Sequence, residues 1–240
     1  MFKQTTHENS GRKSFGPALS MLAFVVIAGC ASQGVRQIDK LDSISENPRI
    51  ILMPPDIKYY LVTAGGIPQP HAEWTDAARI NFAGAVRDFA VNRGTDLTVL
   101  DEESLDDREI QYRKLHAAVG TTLIRNYFGG FKLPTKQDNF DWSLGSGIHE
   151  IGQKRDADYA MFVFYRDYQA SGGRVLFAIL AAAYGNVLPT GQESGFASLV
   201  DLESGDIVWF NVVWSGSGEL RNADGAAAAV NALFKDIPAN

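Results

Sequence analysis

The chain contains one cysteine, Cys30, so its folded body has no second thiol with which to form a disulfide. A body of this size must then be held together by packing, which requires a sizeable apolar core. The composition supplies one: 45 % of the residues are apolar and 21 % are charged, the balance of a globular domain rather than of a disordered or fibrous chain. The formal net charge of −6 argues against nucleic acid and anionic surfaces as targets of the whole body.

The position of the cysteine adds a second constraint. Residues 1–29 run from a basic stretch with Lys3, Arg12 and Lys13, through an apolar run from Ala18 to Ala28, to small residues just before Cys30. That is the order of an export signal, and the run is shorter than the ~20 apolar residues that a spanning helix needs. Ile27-Ala28-Gly29-Cys30 resembles the lipobox of bacterial lipoproteins. The resemblance implies that residues 1–29 are removed and that Cys30 carries a diacylglycerol on sulfur and an acyl chain on its amino group, with no other cofactor. A nucleophilic thiol is the chemical reason for cysteine at that position. Each buried methylene contributes about 0.8 kcal/mol and one chain binds only marginally, so several chains are needed for firm anchoring. In the lipoprotein class that the sequence resembles, Asp directly after the cysteine favours retention in the inner membrane, so with Ala31 there the resemblance implies sorting to the outer membrane, facing the periplasm. Cleavage would take Lys3, Arg12, Lys13 and Glu8 from 22 basic and 28 acidic residues, leaving 211 residues with a formal net charge of −8.

Residues 31–48 are polar and aperiodic and read as a flexible tether, so that residues 49–240 form one periplasmic domain. Ile50 to Met53 is a short apolar strand closed by Pro54-Pro55, with Tyr59 to Val62 its extension beyond a kink. A helix is expected from about Thr75, as its cap, to Asn92, with Phe82, Val86, Phe89 and Ala90 on one face and Gly94 beyond its end. Leu97 to Leu100 reads as a strand. A longer helix follows, opened by the acids of Asp101 to Asp107, striped by Tyr112, Leu115, Val119, Leu123 and Tyr127, and stopped by Gly129-Gly130. A shorter helix spans about Ser143 to Lys154, and Tyr159 to Tyr165 is a strand. Ser194 to Asp201 and Ile207 to Ser215 make a hairpin around Leu202 to Asp206, with Gly205 in the left-handed position. Asn222 to Phe234 is a closing helix. This order predicts an α/β sandwich, a mixed sheet of about five strands with helices packed against it, in a single domain.

Val175 to Leu188 is the most apolar stretch after the export signal. It is either a buried helix or an exposed apolar surface that meets a partner, and in the second case the contacts fall to Val175, Leu176, Phe177, Ile179, Leu180 and Tyr184.

No constellation in the sequence carries obvious chemistry. His71, His116 and His149 lack the paired spacing of a zinc-binding helix, and a surface or partly buried structural role is expected for each, with no metal site. Gly145-Ser146-Gly147 lacks the spacing of a nucleophile elbow, and phosphate, calcium and dinucleotide loops are missing from the sequence. The acids from Asp101 to Asp107 read as helix-capping and solvated rather than cation-binding. No catalytic residue is expected. Two other readings stand beside a contact function: a hydrolase using carboxylates such as Asp156, Asp158 or Asp201 at strand ends, and a ligand-binding module using aromatics near Trp209 and Trp214.

In three places the chain resembles proteobacterial outer-membrane lipoproteins related to the curli production assembly/transport (secretion-channel) family: Arg49 to Pro55, Asp156 to Ala160, and Asp201-Leu202-Glu203-Ser204-Gly205-Asp206-Ile207-Val208-Trp209. The resemblance implies a non-enzymatic accessory or scaffold domain that assembles with itself or with a protein partner in an envelope assembly or secretion complex. Relatives of that kind insert β-hairpins into the membrane as an oligomeric pore. A barrel strand needs ~10 residues of alternating apolar character, and Val175 to Leu188 is continuous instead, so no pore is expected here.

Overall fold

The computed structural model describes residues 34–37, 48–136, 139–214 and 216–237. The chain divides into Met1–Cys30 and Ala31–Asn240. The expected export signal, Cys30 and most of the expected tether lie outside the described residues. Along the chain run β1 (Gly34–Gln37), β2 (Ile50–Leu52), β3 (Asp56–Val62), β4 (Pro68–Pro70), α1 (Ala72–Arg93), β5 (Leu97–Val99), α2 (Asp107–Tyr127), α3 (His149–Arg155), β6 (Tyr159–Ala170), α4 (Gly172–Ala183), β7 (Gly191–Asp201), β8 (Ile207–Trp214) and α5 (Ala223–Leu233).

The strands form one mixed sheet in the order β1-β8-β7-β6-β2-β5, with β3 farther along β6 and β4 on the outer side of β3. β6 is central: it pairs antiparallel with β7 over its length and parallel with both β2 and β3. The break between those two falls at Pro54-Pro55, which have no N–H for the ladder. Leu52 pairs with Met161 and Asp56 with Phe164, so four steps on one side match three on β6. This one-residue bulge puts Ile57 and Tyr59 on the same face as Ile50 and Leu52.

Helices cover both faces, which is why β6 opens as an unbroken apolar run rather than an alternating one. On one face Tyr159, Met161, Val163 and Tyr165 pack with Leu199 and Trp209 under Phe82 and Val86 of α1 and Val230 and Leu233 of α5. On the other, Ala160, Phe162, Phe196 and Phe210 pack under Leu123 of α2 and Ile151 of α3. Asn211 is buried beneath α5, where its Nδ2 donates to the carbonyls of Ala232 and Leu233, two of the acceptors a helix end leaves free. The β7–β8 turn forms as expected: Asp201 Oδ1 accepts from the N–H groups of Glu203 and Ser204, and Gly205 has φ 81°.

The sheet has eight strands rather than about five among the described residues. β1 lies inside the segment read as tether and pairs antiparallel with β8, and β4 is a Pro-Gln-Pro edge with no apolar signal. α1 begins earlier than expected, capped by His71, whose ring accepts from the Trp74 N–H; Thr75 instead accepts from the N–H of Tyr59 and ties the helix to β3. The acids before α2 split, with Glu102–Ser104 in a 3-10 turn and Asp106 the true cap, in a reciprocal capping box with Glu109.

Of the expected apolar stripe of α2, Leu123 is in the core and Tyr112, Val119 and Tyr127 pack against it, but Leu115 does not, and the helix buries polar residues as well. Glu109, His116, Gly120, Leu123 and Asn126 are its buried residues, while Leu115 is exposed. The helix seats on the sheet through its smallest residue, Gly120 against the Phe196 ring, and turns inward Glu109 and His116, which find partners there. Glu109 accepts from Lys154 and Arg155 of α3 at 2.9 Å each.

Candidate functional site

Ser171 caps α4, accepting from the Arg174 N–H at 3.2 Å, and the helix that follows has Arg174 as its one charged residue. Ala178 alone is buried, with Arg174 and Ala181 half-buried beside it, so α4 rests on the body along a narrow seam. The large side chains point away from that seam. Val175 is 39 % exposed, and Leu176, Phe177, Ile179, Leu180 and Tyr184 are between 52 % and 86 % exposed, with Val187 just beyond. Of the two readings of this segment, the exposed surface is therefore the one the fold realises. Full burial of a side chain of this size contributes about 1.5–3 kcal/mol, so five of them partly in water on one short helix, with Tyr184 at its end, make a surface suited to being covered.

The other candidate groups are occupied with each other. His116 corrects the expectation of a surface or partly buried ring: it is fully buried, stacked on Phe162, with Nε2 2.8 Å from the Ser198 hydroxyl. Burial pushes its pKa down to about 3, so the ring is neutral. Ser198 is equally buried, and a nucleophile with no route to solvent has no substrate to attack. His71 is the α1 cap, and His149 is exposed with Nδ1 2.8 Å from the Ser146 carbonyl.

Asp156, Asp158 and Asp201 do come together, around an open cavity of about 750 Å³ that Arg49 and His149 also line. Their state is not that of a catalytic pair. The Arg49 guanidinium bonds both Asp156 and Asp158, and it holds the Asp158 carboxyl below the usual range. Asp201 Oδ1 is spent on the hairpin turn. A general acid needs the opposite, a carboxyl held protonated near neutrality. Of the two tryptophans of the aromatic reading, Trp209 is wholly buried in the core and Trp214 is half-buried. Among the described residues no group of three or more His, Cys, Asp or Glu is disposed to hold a metal ion.

One perturbed carboxyl was not visible in the sequence. Asp167 on β6 is buried beside Gln169, whose Nε2 donates to it at 2.7 Å, and near Glu193, Glu219 and the Tyr59 hydroxyl. Burial, with Glu193 and Glu219 adding repulsion against the Gln169 bond, pushes its pKa up to about 6. Glu193 accepts from Ser217, and Glu219 accepts from the Tyr59 hydroxyl and pairs with Arg221, so the set reads as a buried structural network. An acid whose folded pKa lies above its unfolded value takes up a proton on folding, so its share of stability is present in acid and lost as pH rises through about 4 to 6. Asp167→Asn is expected to stabilise the protein at neutral pH by on the order of 2–3 kcal/mol and to change it little near pH 4. Urea unfolding at the two pH values checks this, and equal effects at both would contradict it.

No protein-family model and no curated protein matches the chain. Several solved structures do. The PelC dodecamer from Paraburkholderia phytofirmans aligns at 11 % identity and a TM-score of 0.36, over 84 % of this chain and 97 % of that one. Lipoprotein GNA1162 from Neisseria meningitidis aligns at 12 % and 0.31, over 80 % and 99 %. The LpoB C-terminal domain from Salmonella enterica aligns at 11 % and 0.30, over 71 % and 84 %. TM-scores this low transfer no function to this chain.

Proposed function

We propose that the chain is a lipid-anchored, non-enzymatic accessory or scaffold domain of the bacterial envelope, held to the outer membrane through Cys30 and facing the periplasm. It works by contact: α4 is covered in the cell by another envelope component, and the domain serves an assembly or secretion complex through a protein partner or further copies of itself. The observation that carries this reading is the exposed apolar face of α4 on a domain in which Asp156, Asp158 and the buried His116 are engaged in structural pairs. The lipobox-like Ile27 to Cys30 supports the anchor. The three motifs resembling the curli-related lipoproteins support the kind of apparatus served.

A photoreactive residue in place of Leu180, activated in intact cells, tests the contact. Val91, exposed near the C-terminal end of α1, is the control position. Adducts to lipid or protein at 180 and none at 91 are expected; no adduct at 180 would contradict the reading.

A further inference from the structure

The sheet register fixes which end of the domain α4 occupies. β6 runs into α4 at Ala170, and β7 returns from it at Gly191 beside Gln169. The start of β7 lies beside the end of β8, where Ser194 pairs with Trp214. β1 pairs antiparallel with the middle of β8, Gly34 opposite Val212 and Gln37 opposite Trp209. The N-terminal end of β1 is therefore directed toward the end of the sheet that carries α4. Four residues from Cys30 to Gln33 precede Gly34, and at 3.3–3.6 Å per residue they reach at most about 14 Å. Whatever surface holds the Cys30 lipid therefore lies within that reach of Gly34, the end of β1 directed toward the α4 end of the sheet.

What α4 presents there suits a lipid surface. From Tyr168 to Gln192 the chain has no acidic residue and one cation, Arg174, although the domain as a whole is acidic. Tyr184 ends the helix with a ring that is apolar in its body and polar at its tip. Ile67, in the β3–β4 turn after Gly66, whose Cα faces the Arg174 guanidinium, adds a further exposed apolar group. Twelve helical residues at 1.5 Å each are too short to cross a bilayer, and among the described residues no helix is long and apolar enough to do so. A short helix with its apolar side outward lies in the plane of the interface instead.

We propose that α4 is seated in the headgroup and acyl boundary of the same leaflet that carries the Cys30 lipid. The domain is thereby held at two points and kept in one orientation, with protein contacts left to the surfaces facing away from the bilayer. This rests on the reading of α4 as a covered contact surface and names the component that covers it.

The test uses the lipidated protein in vesicles of phosphatidylethanolamine and phosphatidylglycerol with brominated acyl chains, with no other protein present. Leu180→Trp reports from α4 and Val91→Trp from the far end of α1; both positions are exposed, and the native tryptophans are subtracted using the parent protein. Insertion of an apolar face ~5–10 Å into the boundary is expected to quench the added fluorescence at 180 by about twofold or more and to leave that at 91 unchanged. Equal quenching at both positions, or none at 180, would overturn the seating. No quenching together with a protein adduct at 180 in cells would overturn the seating and leave the contact reading standing. No quenching and no adduct would overturn both.

Discussion

Gly120→Ala is expected to destabilise the protein by about 1–3 kcal/mol, although alanine is the better helix former and the position lies in the middle of α2. A Cβ at Gly120 would stand 2.1 Å from Cε2 of Phe196 and 2.5 Å from Cζ. The ring has no easy way to retreat, because it is packed against Phe164, Phe210 and the His116 imidazole. Either α2 lifts from the sheet or Phe196 leaves its rotamer, and both loosen the face that also buries Phe162 and Leu123. Gly84 is the internal comparison. It lies inside α1 with open space around its Cα, so Gly84→Ala is expected to stabilise by about 0.5–1 kcal/mol from the lower conformational freedom of the unfolded chain. Urea unfolding of the two variants reads out opposite signs. A stabilised Gly120→Ala would mean that α2 does not sit on Phe196.

Glu109→Ala is expected to cost about 2–4 kcal/mol near neutral pH, below the top of the range for a broken buried pair because Lys154 is 43 % exposed and keeps some hydration. Glu109 is wholly buried and accepts from Arg155 and Lys154 and from the Asp106 N–H. Burial works to raise its pKa, but the Arg155 guanidinium, the backbone bond and the Lys154 ammonium together hold it below the usual carboxylate range. A carboxyl with a depressed folded pKa contributes stability that is present above its unfolded value of about 4.3 and is lost as pH falls through the folded value. The penalty of Glu109→Ala should therefore be full at pH 7 and shrink in acid, opposite in sign to the gain that Asp167→Asn shows at neutral pH. Glu109→Gln keeps the shape and isolates the charge; a pH-independent penalty in both variants would contradict the ion-pair account.

The parts of the fold legible in the sequence are those set by local chemistry. Tyr159 to Tyr165 reads as a strand because it is apolar on both faces, and the β7–β8 hairpin reads from Asp201, which caps its own turn, and from Gly205, whose positive φ a side chain would resist. Elements without such signals are missed: β1 is polar and pairs only at an edge, and β4 consists of Pro, Gln and Pro. In α2 periodicity finds the apolar part of the packed face, Tyr112, Val119, Leu123 and Tyr127, but it counts only apolar residues and so includes the exposed Leu115 and omits the buried glycine, histidine, asparagine and glutamate. The histidine and the glutamate are acceptable inside only once Ser198, Arg155 and Lys154 arrive from 45 or more residues away. The Asp167 network joins Tyr59, Glu193, Ser217 and Glu219 by the same long-range route. For α4 the sequence set the apolar character and two possible fates, and only the packing of Arg174, Ala178 and Ala181 decides that the large side chains face outward.

Whether that outward face is covered in the envelope can be measured with a single thiol. On the proposed reading Cys30 is blocked by lipid, and the chain has no other cysteine, so Leu180→Cys and Val91→Cys each introduce one reactive group. Treated with a membrane-impermeant maleimide after the outer membrane is permeabilised, the thiol at 180 is expected to label many-fold more slowly than the one at 91, and both to label fully once the protein is denatured. Equal labelling of the two native proteins would show α4 open to water in the cell and would contradict the account.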